Sequence, residues 1–330
     1  MALGLLVATA CTPDSTDPPA GDEPTGSTTG SAPGSATGST NASDDPPPST
    51  GAPADPDSST TNETAEASTG STTMGSTETE GTGDPLDVET VVELYGQAWN
   101  IADPDERVAL LETIWDPAGT YGDPVTVEQG LDGSGVDGLS EVIEFNHQQL
   151  PGFSIDIVGS VDHYESMLRF DWLFLLPDGT PIPGFDFGEI DPDSGQLRRI
   201  TGFFGELPQG NPISAPLQAY LDAWNEPDPA VRLDLLTQAM SDDAVYIDPT
   251  AAVEGRPQLV DHIGLYQQQA AGTELVLTAG PDTYDTVMRF SWAIHTLGGD
   301  VVGTGLDVVD LADDGRLSRV VGFFDFEPGR

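Results

Sequence analysis

A tyrosine and two aspartates occur at matching positions in two parts of this chain, and their types suit acid–base chemistry. The two sets are Tyr220, Asp248 and Asp307, and Tyr95, Asp123 and Asp186. An ionised carboxylate can remove a proton, whereas a tyrosine or a protonated carboxyl can donate a hydrogen bond to a developing oxyanion. Asp307 shares a predicted strand face with Val309 and Leu311, and a carboxyl on an apolar face needs a partner or a function.

Each of these residues also has an ordinary structural interpretation. Both tyrosines could be core residues whose hydroxyl groups are satisfied within the fold. Asp123 and Asp248 each precede a proline and could simply start turns. Asp186 and Asp307 could be held by a neighbouring arginine or by backbone amides. The residue types alone leave these alternatives open.

The two sets belong to a sequence module that occurs twice in the last 240 or so residues. Tyr95, Trp99 and Asp123 return 125 positions later, and Arg169 and Phe204 return 120 positions later. A period of this length corresponds to a whole small domain rather than to a solenoid repeat. The sequence therefore predicts a tandem duplication. The predicted segments are a signal or lipoprotein segment (1–11), a disordered tether (12–86), a first domain (87–208), a linker (209–213) and a second domain (214–330).

The elements that must position these residues follow from hydrophobic periodicity. Residues 87–100 have helical spacing, and Asp103-Pro104 predicts the start of a second helix over 104–115. A short strand, a third helix over 139–150 and four longer strands follow, which gives α-α-β-α-β-β-β-β in each copy. The strands alternate apolar and polar residues, as expected for an antiparallel sheet with one buried face. We expect a curved sheet that encloses a pocket with three helices.

Three motifs resemble the nuclear transport factor 2-like superfamily, which includes SnoaL-like polyketide cyclases and ketosteroid isomerases. They are Ala-Trp-Asn followed by Asp-Pro, Tyr-x-Asp-Pro before the third helix, and a closing strand pair that ends in Gly322-Phe323-Phe324. The resemblance covers about 87–208 and 212–328. It implies two cone-shaped α+β barrels. It also implies an intrachain pseudo-dimer through the outer faces of the sheets, because single-domain members pair in that way.

The resemblance to ketosteroid isomerases implies roles for individual residues. Tyr220 would supply the tyrosine of the oxyanion hole, Asp248 the general base, and Asp307 the second oxyanion donor. The equivalents in the first copy would be Tyr95, Asp123 and Asp186. The resemblance also implies an apolar pocket wall for a small apolar ligand, lined by Trp99, Trp224, Trp172, Trp292, Phe204 and Phe324. No cofactor is implied, and an aspartic acid can donate only if burial keeps it protonated.

Two further observations qualify the chemistry. The segment Thr126–Asp137 of the first copy is longer than its counterpart and rich in Gly and Asp, and we expect it near the mouth of the first pocket, where it would argue against catalysis there. His262 or His295 could pair with an aspartate, as in the polyketide cyclases, or could be a surface residue. No histidines are spaced as metal ligands.

The N-terminal part predicts export. Residues 1–11 are apolar or small up to the only cysteine, Cys11, which is typical of a secretory signal and similar to a bacterial lipoprotein site. A signal cut after Ala10 and a cytosolic start are the alternatives. Residues 12–86 are Ser, Thr, Gly, Pro and acidic residues almost throughout, and they predict a disordered tether. On this hypothesis the protein is held at the cell envelope by lipidated Cys11 alone.

The net charge of the chain further limits the range of possible functions. The formal net charge is −46, and all basic residues are arginines. This excludes the basic surface on which nucleic-acid binding depends. Three functions remain open from the sequence: proton transfer at a carbonyl-containing molecule, binding of a small apolar ligand without chemistry, and a structural or interaction role at the envelope.

Overall fold

The computed structural model describes residues 86–324, which contain two sheets of closely similar topology. We call 88–204 the first half and 215–324 the second half. Residues 1–85 lie outside the described residues, and with them the predicted signal segment, the lipidation of Cys11 and nearly all of the predicted tether. No helix of the described residues is long and apolar enough to cross a membrane.

The first half has four helices and five strands. In chain order they are α1 (Val88–Asn100), α2 (Pro104–Ile114), β1 (Trp115–Gly122), α3 (Pro124–Gln129), α4 (Gly135–Gln149), β2 (Ser154–Tyr164), β3 (Met167–Leu175), β4 (Pro181–Ile190) and β5 (Leu197–Phe204). Asp87 and Asp103 cap α1 and α2 by accepting backbone N–H groups of the first turn, as N-cap aspartates do.

The second half repeats this order with one short strand in place of a short helix. Its elements are α5 (Ala215–Asn225), α6 (Pro229–Ala239), β6 (Met240–Asp248), β7 (Ala251–Glu254), α7 (Arg256–Gln269), β8 (Thr273–Tyr284), β9 (Val287–Thr296), β10 (Val301–Leu311) and β11 (Leu317–Phe324). Ser214 and Asp228 cap α5 and α6.

Both sheets are mixed, which corrects the expectation of purely antiparallel sheets. The strand orders are β1-β5-β4-β3-β2 and β7-β6-β11-β10-β9-β8. β1 runs parallel to β5, and β6 runs parallel to β11, while the other pairs are antiparallel. Alternation within a strand reports which face is buried but not the direction of its partner, because the partner is set by distant parts of the chain. The α+β class and the nuclear transport factor 2-like fold are confirmed.

The segment after each Tyr-x-Asp-Pro motif also differs from expectation. In the first half Asp123 caps the unexpected helix α3, and Gly133 then accepts a bond from Tyr121 N–H at 2.9 Å. The segment 126–137 thus packs along the edge of β1. Thr126 bonds to Asp123, and residues 134–137 line a recess with Trp115. None of the residues 126–137 lines the cavity of the first half, so the expectation of a segment at its mouth is not met. In the second half β7 occupies the corresponding edge by pairing with β6.

Each half has its own apolar core between the helices and the inner face of its sheet. A third apolar cluster joins the outer faces of the two sheets, and its members come from both halves: Met167, Phe185, Phe187, Phe203, Val287, Val308, Val321 and Phe323. Arginine–carboxylate bonds cross the same contact, from Arg199 to Asp310 at 3.0 Å and from Arg319 to Glu189 at 2.8 Å. The two sheets are therefore held by apolar burial together with charged pairs.

Candidate active site

The second half encloses a cavity of about 270 Å³ between its helices and the inner face of its sheet. The lining residues are Tyr220, Trp224, Tyr246, Asp248, Thr250, His262, Leu265, Tyr266, Gln269, Leu275, Trp292, Ile294, Asp307 and Phe324. Most of this wall is aromatic or aliphatic, and the polar groups are few and gathered around two carboxylates. Such a wall suits an apolar molecule that is oriented by a few polar contacts.

Asp248 lies at the end of β6, and its two oxygens have different environments. Oδ1 accepts the N–H groups of Thr250 and Ala251 at 2.6 and 2.7 Å and the hydroxyl of Thr250 at 2.7 Å. Oδ2 accepts the Tyr246 hydroxyl at 2.9 Å and lies 3.2 Å from His262 Nε2. Burial acts to raise the pKa of Asp248, but the hydrogen bonds from His262, Thr250 and Tyr246 outweigh it and hold the pKa below its ordinary value. Asp248 is therefore ionised at neutral pH.

His262 on α7 is the neighbour that distinguishes this carboxylate. Its side chain is 17% exposed, and its ring packs against Tyr246 and Trp224 with centroids 5.4 and 6.1 Å apart. Because an ionised Asp248 can only accept, His262 Nε2 is the donor of this hydrogen bond. The dyad can therefore hold and pass on one proton at the cavity wall.

Asp307 on β10 is the second carboxylate, and two buried donors fix its orientation. Trp292 Nε1 donates to Oδ1 at 2.8 Å, and the Tyr220 hydroxyl donates to Oδ2 at 3.1 Å. Burial raises the pKa of Asp307 to about 7, although both hydrogen bonds act in the opposite direction. Asp307 consequently takes up a proton near neutral pH, while Asp248 does not.

Gly322 on β11 lets the two carboxylates approach each other. A Cβ at this position would lie 3.1 Å from Asp307 Oδ1, 3.7 Å from the Tyr246 hydroxyl and 3.8 Å from Asp248 Cβ. Gly305 plays a similar part beneath Trp292, whose ring occupies the space that a Cβ would need. These two glycines explain how a tryptophan and two acids fit on one sheet face.

The first half has the same tyrosine, tryptophan and aspartate residues but almost no free volume. Asp123 accepts the Tyr121 hydroxyl at 2.7 Å and the Thr126 N–H at 2.6 Å, and burial raises its pKa. Asp186 accepts the indole N–H of Trp172 at 2.7 Å and the hydroxyl of Tyr95 at 3.2 Å. Burial raises the pKa of Asp186 to about 7.

The cavity of the first half measures only about 10 Å³ and is lined by Tyr95, Trp99, Tyr121, Asp123, Asn146, Ile155, Ile157, Trp172, Phe174, Asp186 and Phe204. This is room for about one water molecule. Phe174 stacks on Phe153 with ring centroids 4.6 Å apart, where the second half has the smaller Ile294 and Thr273. The volume of these side chains closes the first cavity.

The histidine of the dyad is also missing from the first half. Val142 stands between Leu139 and Ile143 as His262 stands between Leu259 and Ile263. The Tyr121 hydroxyl on Asp123 does not replace the histidine, because burial raises the pKa of Tyr121 well above its usual range and the hydroxyl keeps its proton. Only the second half therefore combines a ligand-sized cavity with an aspartate–histidine pair.

The structure groups the sequence candidates by half. Tyr220, Asp248, Asp307, Trp224, Trp292 and Phe324 line the larger cavity; Tyr95, Asp123, Asp186, Trp99, Trp172 and Phe204 line the smaller one. Of the two histidines considered, His262 reaches Asp248, whereas His295 does not line the cavity. Sequence reasoning did not assign Tyr246 to the site. Its signal was the spacing Tyr-x-Asp-Pro, which occurs in both halves and places the tyrosine two residues before the carboxylate on the same strand face.

Among residues 86–324 no three His, Cys, Asp or Glu side chains converge as a metal site. The pocket itself presents carboxyl groups, hydroxyl groups and an imidazole. Proton transfer and hydrogen-bond donation are the two processes that these groups can perform without further components.

No protein-family model and no curated protein sequence matches the chain. Solved structures that match include a putative isomerase of the SnoaL-like family from Agrobacterium tumefaciens strain C58, with 39% identity over 33% of this chain and 94% of that chain and a TM-score of 0.32. Others are a putative polyketide cyclase from Sinorhizobium meliloti (18% identity, 33% and 94% coverage, TM-score 0.28) and a nuclear transport factor 2-like protein of unknown function from Exiguobacterium sp. 255-15 (18% identity, 33% and 98% coverage, TM-score 0.28). On its sequence identity with the first of these, the chain belongs to the SnoaL-like family.

Proposed function

We propose that this SnoaL-like protein binds a small, mostly apolar carbonyl compound in its second half and moves a proton next to that carbonyl. The observation that carries the proposal is the cavity of about 270 Å³, whose apolar wall brings together an ionised Asp248 and a protonatable Asp307. Anchoring at the cell envelope through Cys11 belongs to the same proposal, and it depends on residues that the structure does not describe.

In the proposed reaction Asp248 Oδ2 accepts the proton from the carbon next to the carbonyl. The electron pair of the broken C–H bond moves into the conjugated system and places negative charge on the carbonyl oxygen. Protonated Asp307, oriented by Tyr220 and Trp292, donates a hydrogen bond to that oxygen. Asp248, assisted by His262, then returns the proton to another carbon of the enolate. No atom is gained or lost, so the overall change is an isomerisation.

The pH dependence follows from the two carboxyl groups. Turnover requires Asp248 ionised and Asp307 protonated. The rate should therefore decline at low pH as Asp248 takes up a proton, and decline again as pH rises through about 7, where Asp307 loses its proton. A bell with its alkaline limb near neutral pH is the expected profile.

The first half supplies a matched control for the test. Asp248→Asn and Asp123→Asn are compared with the unaltered protein on a panel of cyclic enones that includes 3-keto steroids. The readouts are isomerisation and exchange of the carbon-bound proton with solvent deuterium, followed by NMR. We expect Asp248→Asn to lose roughly 10²- to 10⁴-fold in rate, the range of general acid–base catalysis, and Asp123→Asn to keep the full rate. Equal rates in all three proteins would disprove this mechanism.

Binding without turnover is the second candidate, and one observation favours it. Each oxygen of Asp248 and Asp307 already accepts at least one hydrogen bond from the protein, so the site is satisfied without a substrate. This alternative predicts saturable binding of the same enones with equal affinity for the unaltered protein and Asp248→Asn, and no deuterium exchange. Calorimetric titration of both proteins separates the two candidates.

A further inference from the structure

One side chain of the first half reaches the site of the second half. Tyr164 stands at the end of β2 in the hairpin that joins β2 to β3, and it crosses the contact between the sheets. Its hydroxyl lies 2.9 Å from the carbonyl oxygen of Gly322 and 3.3 Å from that of Ile247. The single hydroxyl hydrogen is shared between these two acceptors. Its ring packs edge-on against Phe323, with centroids 5.2 Å apart.

The two carbonyls belong to the strands that carry the site. Ile247 immediately precedes Asp248 on β6, and Gly322 is the residue that Asp307 and Asp248 flank. Val321 and Ile247 are the last partners in the parallel pairing of β6 with β11. Beyond them that pairing stops, so nothing in its ladder holds the two strands together beside the carboxylates. The Tyr164 hydroxyl bridges them at this point.

The corresponding contact from the second half to the first lacks the hydroxyl bridge. Tyr284 is the residue 120 positions after Tyr164, and its hydroxyl approaches the first half at Gly122, where an added Cβ would lie 2.6 Å from the hydroxyl oxygen. Among the described residues, however, the Tyr284 hydroxyl has no hydrogen-bond partner, whereas that of Tyr164 has two. The bridge is therefore made towards the open cavity and not towards the closed one.

We propose that Tyr164 is a positioning residue for the second half, so that the first half, whose own cavity is closed, completes the candidate active site of its neighbour. The hydroxyl bridge fixes the separation of β6 and β11, and with it the placement of Asp248 relative to Asp307. Burial, with the nearby Asp248 and Asp307, raises the pKa of Tyr164 well above its usual range, so the donor keeps its proton throughout the working pH range. The kinetic part of this inference rests on the function proposed above, and the structural part does not.

The test compares Tyr164→Phe with Tyr284→Phe in the full chain. Both variants keep an aromatic ring in the contact between the sheets and lose one hydroxyl. The first readout is the titration of Asp307 and Asp248 by carboxyl-carbon NMR, which needs no substrate. In Tyr164→Phe we expect the pKa of Asp307 to fall towards its ordinary value, because strands that separate admit water to the carboxyl. In Tyr284→Phe we expect both titrations to match the unaltered protein.

The second readout is turnover of the enone panel. Misplaced catalytic groups lose rate more than binding, so we expect Tyr164→Phe to lower kcat about tenfold and to leave KM within about twofold. Tyr284→Phe should change neither. The inference is overturned if the two variants titrate alike, or if Tyr164→Phe changes only the free energy of unfolding. If no enone is turned over by the unaltered protein, the proposed function fails while the NMR titration still decides the role of Tyr164.

Discussion

Replacing Asp307 by asparagine is expected to stabilise the protein increasingly as pH rises. Asp307 is 4% exposed, and burial raises the pKa of its carboxyl from an ordinary 3.8 to about 7. The folded protein therefore binds this proton more tightly than the unfolded chain does. The stability that the protonated carboxyl contributes is fully present below pH 3.8 and is lost as pH rises through about 7. Asparagine does not titrate, so the variant is spared that loss.

The size of the effect follows from the same two pKa values. Each pKa unit corresponds to about 1.4 kcal/mol. At pH 5 the unaltered protein has lost only part of the stability that the protonated Asp307 contributes, whereas at pH 8.5 it has lost nearly all of it. The stability of Asp307→Asn relative to the unaltered protein should therefore rise by about 2 to 3 kcal/mol between these two pH values. Asp186, which titrates similarly, contributes equally to both proteins and cancels.

The assay is urea unfolding at pH 5, 7 and 8.5, followed by both tryptophan fluorescence and circular dichroism so that coincident transitions can be verified. Asp248→Asn is the control. Because the pKa of Asp248 is lowered, its ionised form contributes stability that is present above pH 3.8 and lost only as pH falls through its still lower folded pKa. The charge of Asp248 is the smallest of the causes that shift the pKa of Asp307, so the effect of Asp248→Asn on stability should change much less between pH 5 and 8.5 than that of Asp307→Asn.

A difference between Asp307→Asn and the unaltered protein that stays the same at all three pH values would refute this reasoning. It would mean that Asp307 is ionised throughout, held by Trp292 and Tyr220 as an ordinary buried carboxylate. The proposed donor role of Asp307 would then lose its basis, and the alkaline limb of the rate profile would need another group.

Two further predictions concern the dyad and the contact between the sheets. His262→Val introduces the residue that the first half has at this position, and it removes a hydrogen bond that lowers the pKa of Asp248. In a pH series of kcat/KM the acid limb should therefore move to higher pH, and the rate should fall roughly 10²-fold. An unmoved acid limb would show that the histidine does not contact the carboxylate that acts as base. Phe187→Ala removes the ring of a residue that is 1% exposed between the sheets, and urea unfolding should show that the free energy of unfolding falls by about 3 to 5 kcal/mol. A fall of less than about 1 kcal/mol would mean that the contact contributes little to stability.

Much of the local structure could be predicted from the sequence because its signals are local. Asp103-Pro104 and Asp228-Pro229 mark helix starts by capping chemistry, and α2 and α6 begin at those prolines. Around Asp123 the strand ends before Pro124, as the sequence predicts, but the helix α3 that Pro124 opens was not predicted. This helix was missed because six residues have too little periodicity to be recognised.

The site shows the same division. The alternation of β10 placed Asp307 on the apolar face with Val309, and this needs only the two-residue period of a strand. The strand period does not identify the partner of Asp248, because whether His262 faces solvent or the carboxylate depends on how α7 lies across β6. That packing is decided by side chains far away in the chain, and the sequence left His262 between the two possibilities.

The sequence by itself determined the residue types, the paired motifs and the faces on which they lie, since helix and strand periods are properties of a few consecutive residues. Only the tertiary structure decided that one cavity is open and the other closed. Phe174 and Ile294 hold matching places, and their consequence for cavity volume appears only when distant strands and helices pack around them. The bridge from Tyr164 to β6 and β11 is of the same kind, because it joins residues more than 80 positions apart that no local pattern relates.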